Sequence, residues 1–255
     1  MDEIKWVIKD GWTMSRRSFK HILRNPDVLF LSIGLPVVLM LMFVFVFGGA
    51  INTGTDYINY VVPGVIITCV GYASSMTAGS VAQDIVGGLF ERFRSMPIRP
   101  SSLLVGHVIG SFVRNAIGAI IVFVVALLIG FRPNAEFWDW FGVVGYLSLF
   151  LFAISWVAVV LGLIAKSVEA ASAFTFFIIF LPYISSAFVP TETMPKWLHP
   201  FAEHQPLTPL IETLRGFLTG TPIGNSAYLT LLWFGSLMIL SIIIATIVFK
   251  RKKAE

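Results

Sequence analysis

In a chain of 255 residues, 56% of the side chains are hydrophobic and only 13% are charged. Soluble domains average roughly 25% charged, so this composition excludes a soluble domain or enzyme and points to an integral membrane protein. The net charge of +4 is modest, and the single cysteine, Cys69, excludes a disulfide framework and a cysteine-built metal site.

Residues 1–25 carry charge throughout and hold no apolar run of the kind a secretion signal needs, so they read as mature protein. Trp6 and Trp12 lie among Ile4, Val7, Ile8, Phe19, Ile22 and Leu23, interspersed with Lys5, Lys9, Arg16, Arg17 and Lys20. That pattern predicts an amphipathic helix lying in the membrane interface, with a disordered basic leader as the alternative. Asn25-Pro26 ends it and turns the chain into the first crossing. Six apolar stretches are long enough to cross a hydrocarbon core of roughly 30 Å as helices. They are Val28–Ala50, Tyr60–Val81, Leu103–Ile129, Phe141–Ala165, Ala171–Phe188 and Tyr228–Phe249, the fifth being short. Their continuous apolarity, without alternation, favours helices over a membrane barrel. Trp138 and Trp140 just before the fourth stretch suit an aromatic belt.

Basic residues set the orientation. Fourteen Lys and Arg fall in the N-terminal segment, the loop between the second and third stretches, the loop after the fourth and the tail from Lys250. Three, Arg132, Lys196 and Arg215, fall on the other side, so both termini are expected in the cytoplasm. Arg114 lies within the third stretch, about one turn inside its cytoplasmic boundary, where its side chain reaches back to the interface.

Two loops carry unusual content. From Asp84 to Ser102 the apolar residues Leu89, Phe90, Phe93 and Met96 recur at helical spacing, with Glu91, Arg92 and Arg94 on other faces and Pro97 and Pro100 as stops. This predicts a short helix able to dock on a partner; a helix lying on lipid is the alternative. The segment from Pro190 to Ala227 contains Pro195, Trp197, Pro206, Leu207, Thr208 and Pro209, followed by an amphipathic run through Arg215. It is too apolar for a solvated loop and too rich in proline for a crossing. It predicts two short helices dipping back into the membrane, or an ordinary packed cap, with Glu212 and Arg215 placed to pair on one face.

Chemistry-bearing motifs are missing. The chain has no phosphate-binding glycine loop, no dinucleotide fingerprint, no H-E-x-x-H and no nucleophile elbow. His199 and His204 are too poorly accompanied to predict zinc. No charge falls at the midplane of a stretch, which disfavours an ion-coupled carrier and places the energy source on another chain.

The order of these features resembles the ABC-2 type permeases, the transmembrane subunits of type V ABC exporters. Glu91-Arg-Phe-Arg-Ser-Met-Pro97 after the second stretch, and Pro195-Lys-Trp-Leu with Pro206-Leu-Thr-Pro and Leu214-Arg-Gly before the sixth, are similar to that family's motifs. The first is most similar to its daunorubicin-resistance, DrrB-like branch. The resemblance covers essentially the whole chain and implies a single all-α domain. Residues 1–25 would be the interface helix, with Trp6, Trp12, Arg16 and Arg17. Residues 28–249 would be a six-helix membrane domain, and 250–255 a basic tail. Leu89, Phe90, Glu91, Arg92, Phe93, Arg94, Met96 and Pro97 would form the coupling helix. The hairpin around Trp197 and Leu207–Leu214 would close the outer end of the path. The first, second and fifth helices would line it, with Ser74, Ser75, Met76, Phe176, Phe180 and Ser186 as wall candidates. No cofactor is implied in this chain; ATP and magnesium would bind two separate ATPase subunits. A second permease, identical or related, would complete a complex in a bacterial or archaeal cytoplasmic membrane, and no nucleic acid is expected. Apolar, Phe- and Met-rich stretches suit a drug or lipid-like substrate. A polysaccharide or lipid-linked glycan exporter of the same fold is the alternative, followed by a membrane-embedded lipid enzyme or a stand-alone channel.

Overall fold

The computed structural model describes residues 33–51, 53–88 and 101–254, and every regular element among them is helical. Eight α-helices follow in order. They are α1 (Leu35–Met42, continued by a wider π-type turn over Phe43–Phe47), α2 (Tyr57–Val86), α3 (Ser101–Leu128), α4 (Phe137–Ile164), α5 (Val168–Phe180, continued by a 3₁₀ turn over Leu181–Ile184), α6 (His199–His204), α7 (Leu207–Thr219) and α8 (Ser226–Ala254). A short 3₁₀ turn, Thr191–Thr193, lies between α5 and α6.

Four of them, α2, α3, α4 and α8, are long and apolar enough to cross a membrane. Thirty residues of α2 span about 45 Å at 1.5 Å each, more than a roughly 30 Å core requires. The other two expected crossings are shorter apolar helices, Leu35–Phe47 and Val168–Ile184. The first begins near the edge of the described residues. The second is cut short at Pro182, whose ring cannot continue an α-helix, so the backbone tightens to 3₁₀ and leaves regular structure before Phe188.

Burial ranks the helices. Of the most apolar stretch of each, 83% is buried in α2 and 17% in α8. The central helix is therefore α2, with α1, α3, α4, α5 and α7 packed around it, while α8 rests on α4 and α7 at the periphery. Close approach comes from small residues, as expected where lipid offers no hydrophobic drive between helices. Ala78 and Ala82 of α2 pack with Ala158 of α4, Ala165 after it and Ala171 of α5. A Cβ on Gly162 would lie 2.6 Å from the Ala78 carbonyl oxygen, and one on Gly64 would lie 2.6 Å from the Ala187 Cβ. Pro63 sits inside α2 and removes one backbone donor there.

The bundle has two distinct ends. At one, α2 begins, α3 ends, and α7 packs on α2, α4 and α8 with α6 against it; this is called the cap end. At the other, residues 87–100 connect α2 to α3; this is the loop end. Trp138 and Trp140, expected before the fourth crossing, fall instead in the first turn of α4. The Glu136 N–H donates to Asp139 Oδ2 at 2.8 Å and starts the helix earlier.

Candidate functional site

From the loop end toward the middle, α2 and α3 face each other along a polar seam. Asp84 and His107 meet at 3.0 Å (Oδ2 to Nε2). Next, Thr77 Oγ1 donates to Ser111 Oγ at 2.9 Å, and Ser155 of α4 reaches the same oxygen at 2.9 Å. Farther in, Asn115 Nδ2 donates to Ser74 Oγ at 3.2 Å. The spacing 74, 77, 84 on α2 and 107, 111, 115 on α3 keeps each set on one helical face. Each serine or threonine here can also bond a carbonyl of its own helix, so a buried hydroxyl costs little; Ser74 does so with Val70 at 2.7 Å.

Arg114 joins the seam. Thirteen residues past Ser101 it lies about 20 Å into α3 and not one turn in. Its Nη2 donates to Thr77 Oγ1, so the guanidinium ends on α2 instead of reaching the interface. In the sequence Asp84 figures only as the start of the segment running to Ser102, and His107, Thr77, Ser111, Asn115 and Ser155 are not singled out. A polar residue every third or fourth position on an apolar helix was the available signal.

The cap is built by α7. Leu207, Leu210, Ile211, Leu214 and Leu218 recur at helical spacing and are all buried. Pro209 and Thr208 are buried with them, Pro206 is half-buried, and Pro195 and Trp197 are exposed. The segment holds two short helices, α6 and α7, with α7 docked on α2, α4 and α8. Glu212 and Arg215 do not pair. Glu212 Oε2 accepts from Ser226 Oγ at 3.0 Å. Arg215 turns into the protein and donates to the carbonyls of Tyr60 (Nε 3.2 Å, Nη2 3.1 Å) and Ser186 (Nη2 2.6 Å). Its guanidinium carbon also lies 3.7 Å from the Tyr60 ring centre, a cation–π contact. Three residues along a helix share a side only roughly, and here the two side chains diverge to partners on α8 and on α2.

The wall candidates are scattered. Ser74 belongs to the seam; Ser75 and Met76 are half-buried; Phe180 is exposed and Ser186 buried. Phe176 lies on α5, its side chain outside the described set. None of the described ones lines a cavity of about 330 Å³ between α3 and α4. That cavity is bounded by Phe112, Phe123, Trp140 and Leu147, with Pro63 of α2 and Leu214 of α7 behind. The interface-helix residues Trp6, Trp12, Arg16 and Arg17 lie outside the described residues, as does the coupling segment Leu89–Pro97. Among the described residues no group of three His, Cys, Asp or Glu could hold a metal.

Residues 10–219 match the sequence pattern of the family described as ABC-2 type transporter. The chain is 31% identical over 206 residues to the daunorubicin resistance ABC transporter permease protein DrrB1 of Streptomyces coeruleorubidus, covering 80% of this chain and 72% of that one. It is 25% identical over 270 residues to the doxorubicin resistance ABC transporter permease protein DrrB of Mycobacterium tuberculosis, covering 94% and 89%. A probable doxorubicin resistance permease, DrrC, of the same species is 22% identical over 231 residues. The chain belongs to the ABC-2 type transporter family, as a multi-pass permease that forms the transport component of an ABC exporter and not its catalytic subunit.

Proposed function

We propose that this permease exports a hydrophobic or amphipathic compound, of the drug or lipid-like class, through a complex energised by separate ATPase subunits. The reading is carried by the 31% identity to a permease named for daunorubicin resistance. It is supported by the apolar cavity beside α3 and α4. In this account two ATPases bind ATP and magnesium, and two permeases, identical or related, meet in the membrane. The loop end faces the cytoplasm with both termini, and α1 and α5 complete six crossings. The segment Leu89–Met96 seats on the ATPase, the N-terminal amphipathic helix flanks it, and α6 and α7 re-enter the membrane at the outer end.

ATP binding then draws the two ATPases together, and their motion is delivered at residues 87–100. The seam matters at this point. Asp84 and His107 lie on the two helices that the loop joins and are bonded to each other. Thr77, Ser111 and Ser155 carry the connection on to α4. Packed helices move as rigid bodies, so a push on the loop displaces α2, α3 and α4 together. A substrate that partitions into lipid reaches such a path from the membrane.

The test is daunorubicin transport by inside-out vesicles containing this chain and its ATPase. ATP-dependent, vanadate-sensitive accumulation of daunorubicin is expected. ATP turnover that moves neither daunorubicin nor other amphipathic dyes, but does move a lipid-linked glycan, would contradict the substrate class.

A further inference from the structure

The cap contains a cluster of polar contacts that packing alone does not require. Where α5 gives way at Pro182, the backbone from Leu181 to Phe188 leaves regular helix and its carbonyls lose their helical partners. Four of these carbonyls are met by side chains from elsewhere. Gln205 Nε2 donates to Leu181 at 3.4 Å and Ile184 at 3.3 Å, Arg215 Nη2 to Ser186 at 2.6 Å, and the Tyr57 hydroxyl to Phe188 at 2.8 Å. Arg215 alone spans three elements, because its other bonds run to the Tyr60 carbonyl of α2. Two buried polar atoms of the same cluster, Ser186 Oγ and Gln205 Oε1, have no hydrogen-bond partner.

We propose that Arg215 is a latch. It is a positioning residue that holds the α5 end segment shut against α2 and α7, and the export cycle breaks and remakes its bonds to the Tyr60 and Ser186 carbonyls. This rests on the export reading above.

The acceptors are the first reason. A carboxylate partner would fix a buried guanidinium strongly, and breaking such a pair would strand two charges. Arg215 has passed over Glu212 for neutral carbonyls, which water can replace one at a time as the segment moves away. The second reason is the unpaired atoms. A buried polar group without a partner raises the energy of the arrangement that contains it, so the shut segment is held by Arg215 against a local cost at Ser186 and Gln205. An arrangement that exposes both atoms relieves that cost. The third is the close approach behind the latch. Gly64 of α2 leaves no room for a Cβ against Ala187, so the segment is sealed directly onto the central helix only one residue from the Arg215 contact at Ser186.

The experiment uses this chain with its ATPase in proteoliposomes loaded with daunorubicin, comparing Arg215→Gln and Arg215→Lys with the parent. In parallel, Ser186→Cys in a Cys69→Ala background is labelled with a membrane-impermeant maleimide. Losing hydrogen bonds from a charged donor shifts an open–shut balance by about tenfold or more. Arg215→Gln is therefore expected to raise ATP-independent daunorubicin leak and the labelling rate of Ser186→Cys by about that factor. ATP turnover should stay within about twofold, so that less substrate moves per ATP. Arg215→Lys, which keeps the charge but loses the two-pronged geometry, should fall between the two. Unchanged leak and labelling in a normally inserted Arg215→Gln complex would overturn the latch. So would a variant whose ATP turnover and thermal stability fall together without added leak, because that is the behaviour of a purely structural staple. A parent complex that moves no daunorubicin would count against the export reading instead, and the labelling comparison would still decide the latch.

Discussion

Ser111 is the meeting point of the seam, accepting from Thr77 and Ser155 and lying 3.4 Å from Asn115 Nδ2. In membranes such contacts are individually weak, about 0.6 kcal/mol on average and up to roughly 2, because an unfolded helix in lipid also finds partners. A steric intrusion at a helix crossing is worse, at about 1–3 kcal/mol. The two effects can be ranked at neighbouring points of one bundle. Ser111→Ala should lower stability by about 1 kcal/mol. Gly162→Val, which drives a side chain into the Ala78 carbonyl and Val81, should cost more, about 2–3 kcal/mol. Thermal unfolding of the purified chain in detergent gives the order, and the reverse order would mean that the seam, not the small-residue crossing, holds α2 to α4. The seam also marks a limit of reading sequence. Ser74 was visible as a polar residue in an apolar helix, yet nothing in one strand of sequence says which neighbouring helix its face meets. Only with α3 beside α2 does it become a partner of Asn115.

Among elements, α7 shows what apolar spacing does reveal. Its buried positions 207, 210, 211, 214 and 218 form one stripe that could be read directly from the chain. The long continuous runs of α2, α3, α4 and α8 were legible for the same reason. The fifth crossing was less so, because Pro182 splits an apolar run whose hydropathy does not change across it. The Arg215 contacts were not legible at all, since they end on backbone carbonyls 29 and 155 residues away. The stripe carries its own prediction. Ile211 is fully buried, so Ile211→Ala should cost about 2–5 kcal/mol. That loss falls on α7 and its neighbours and not on the long helices, whose apolar lengths keep them in the membrane. Hydrogen exchange should therefore rise at residues 199–219 while α2 and α4 stay protected. Uniform deprotection would mean that α7 is integral to the bundle and not a separable cap.

At the scale of the whole molecule, charge and polar contact converge on the loop end. The seam starts there with Asp84 and His107, and fourteen of the basic residues flank that side in the proposed topology. The segment Leu89–Pro97, proposed to seat on the ATPase, lies outside the described residues, so its role is tested by chemistry. Glu91→Lys or Arg92→Glu is expected to abolish ATP-dependent daunorubicin transport while membrane insertion stays normal. Full transport by either variant would detach this segment from the ATPase. That this chain works only with a nucleotide-hydrolysing partner is tested by isolating the tagged, detergent-solubilised protein from its native membrane and assaying the eluate for ATP hydrolysis. A stoichiometric nucleotide-binding subunit is expected, with vanadate-sensitive ATP hydrolysis that is lost with the partner. A clean permease with no partner and no hydrolysis, recovered from membranes where it is active, would contradict it.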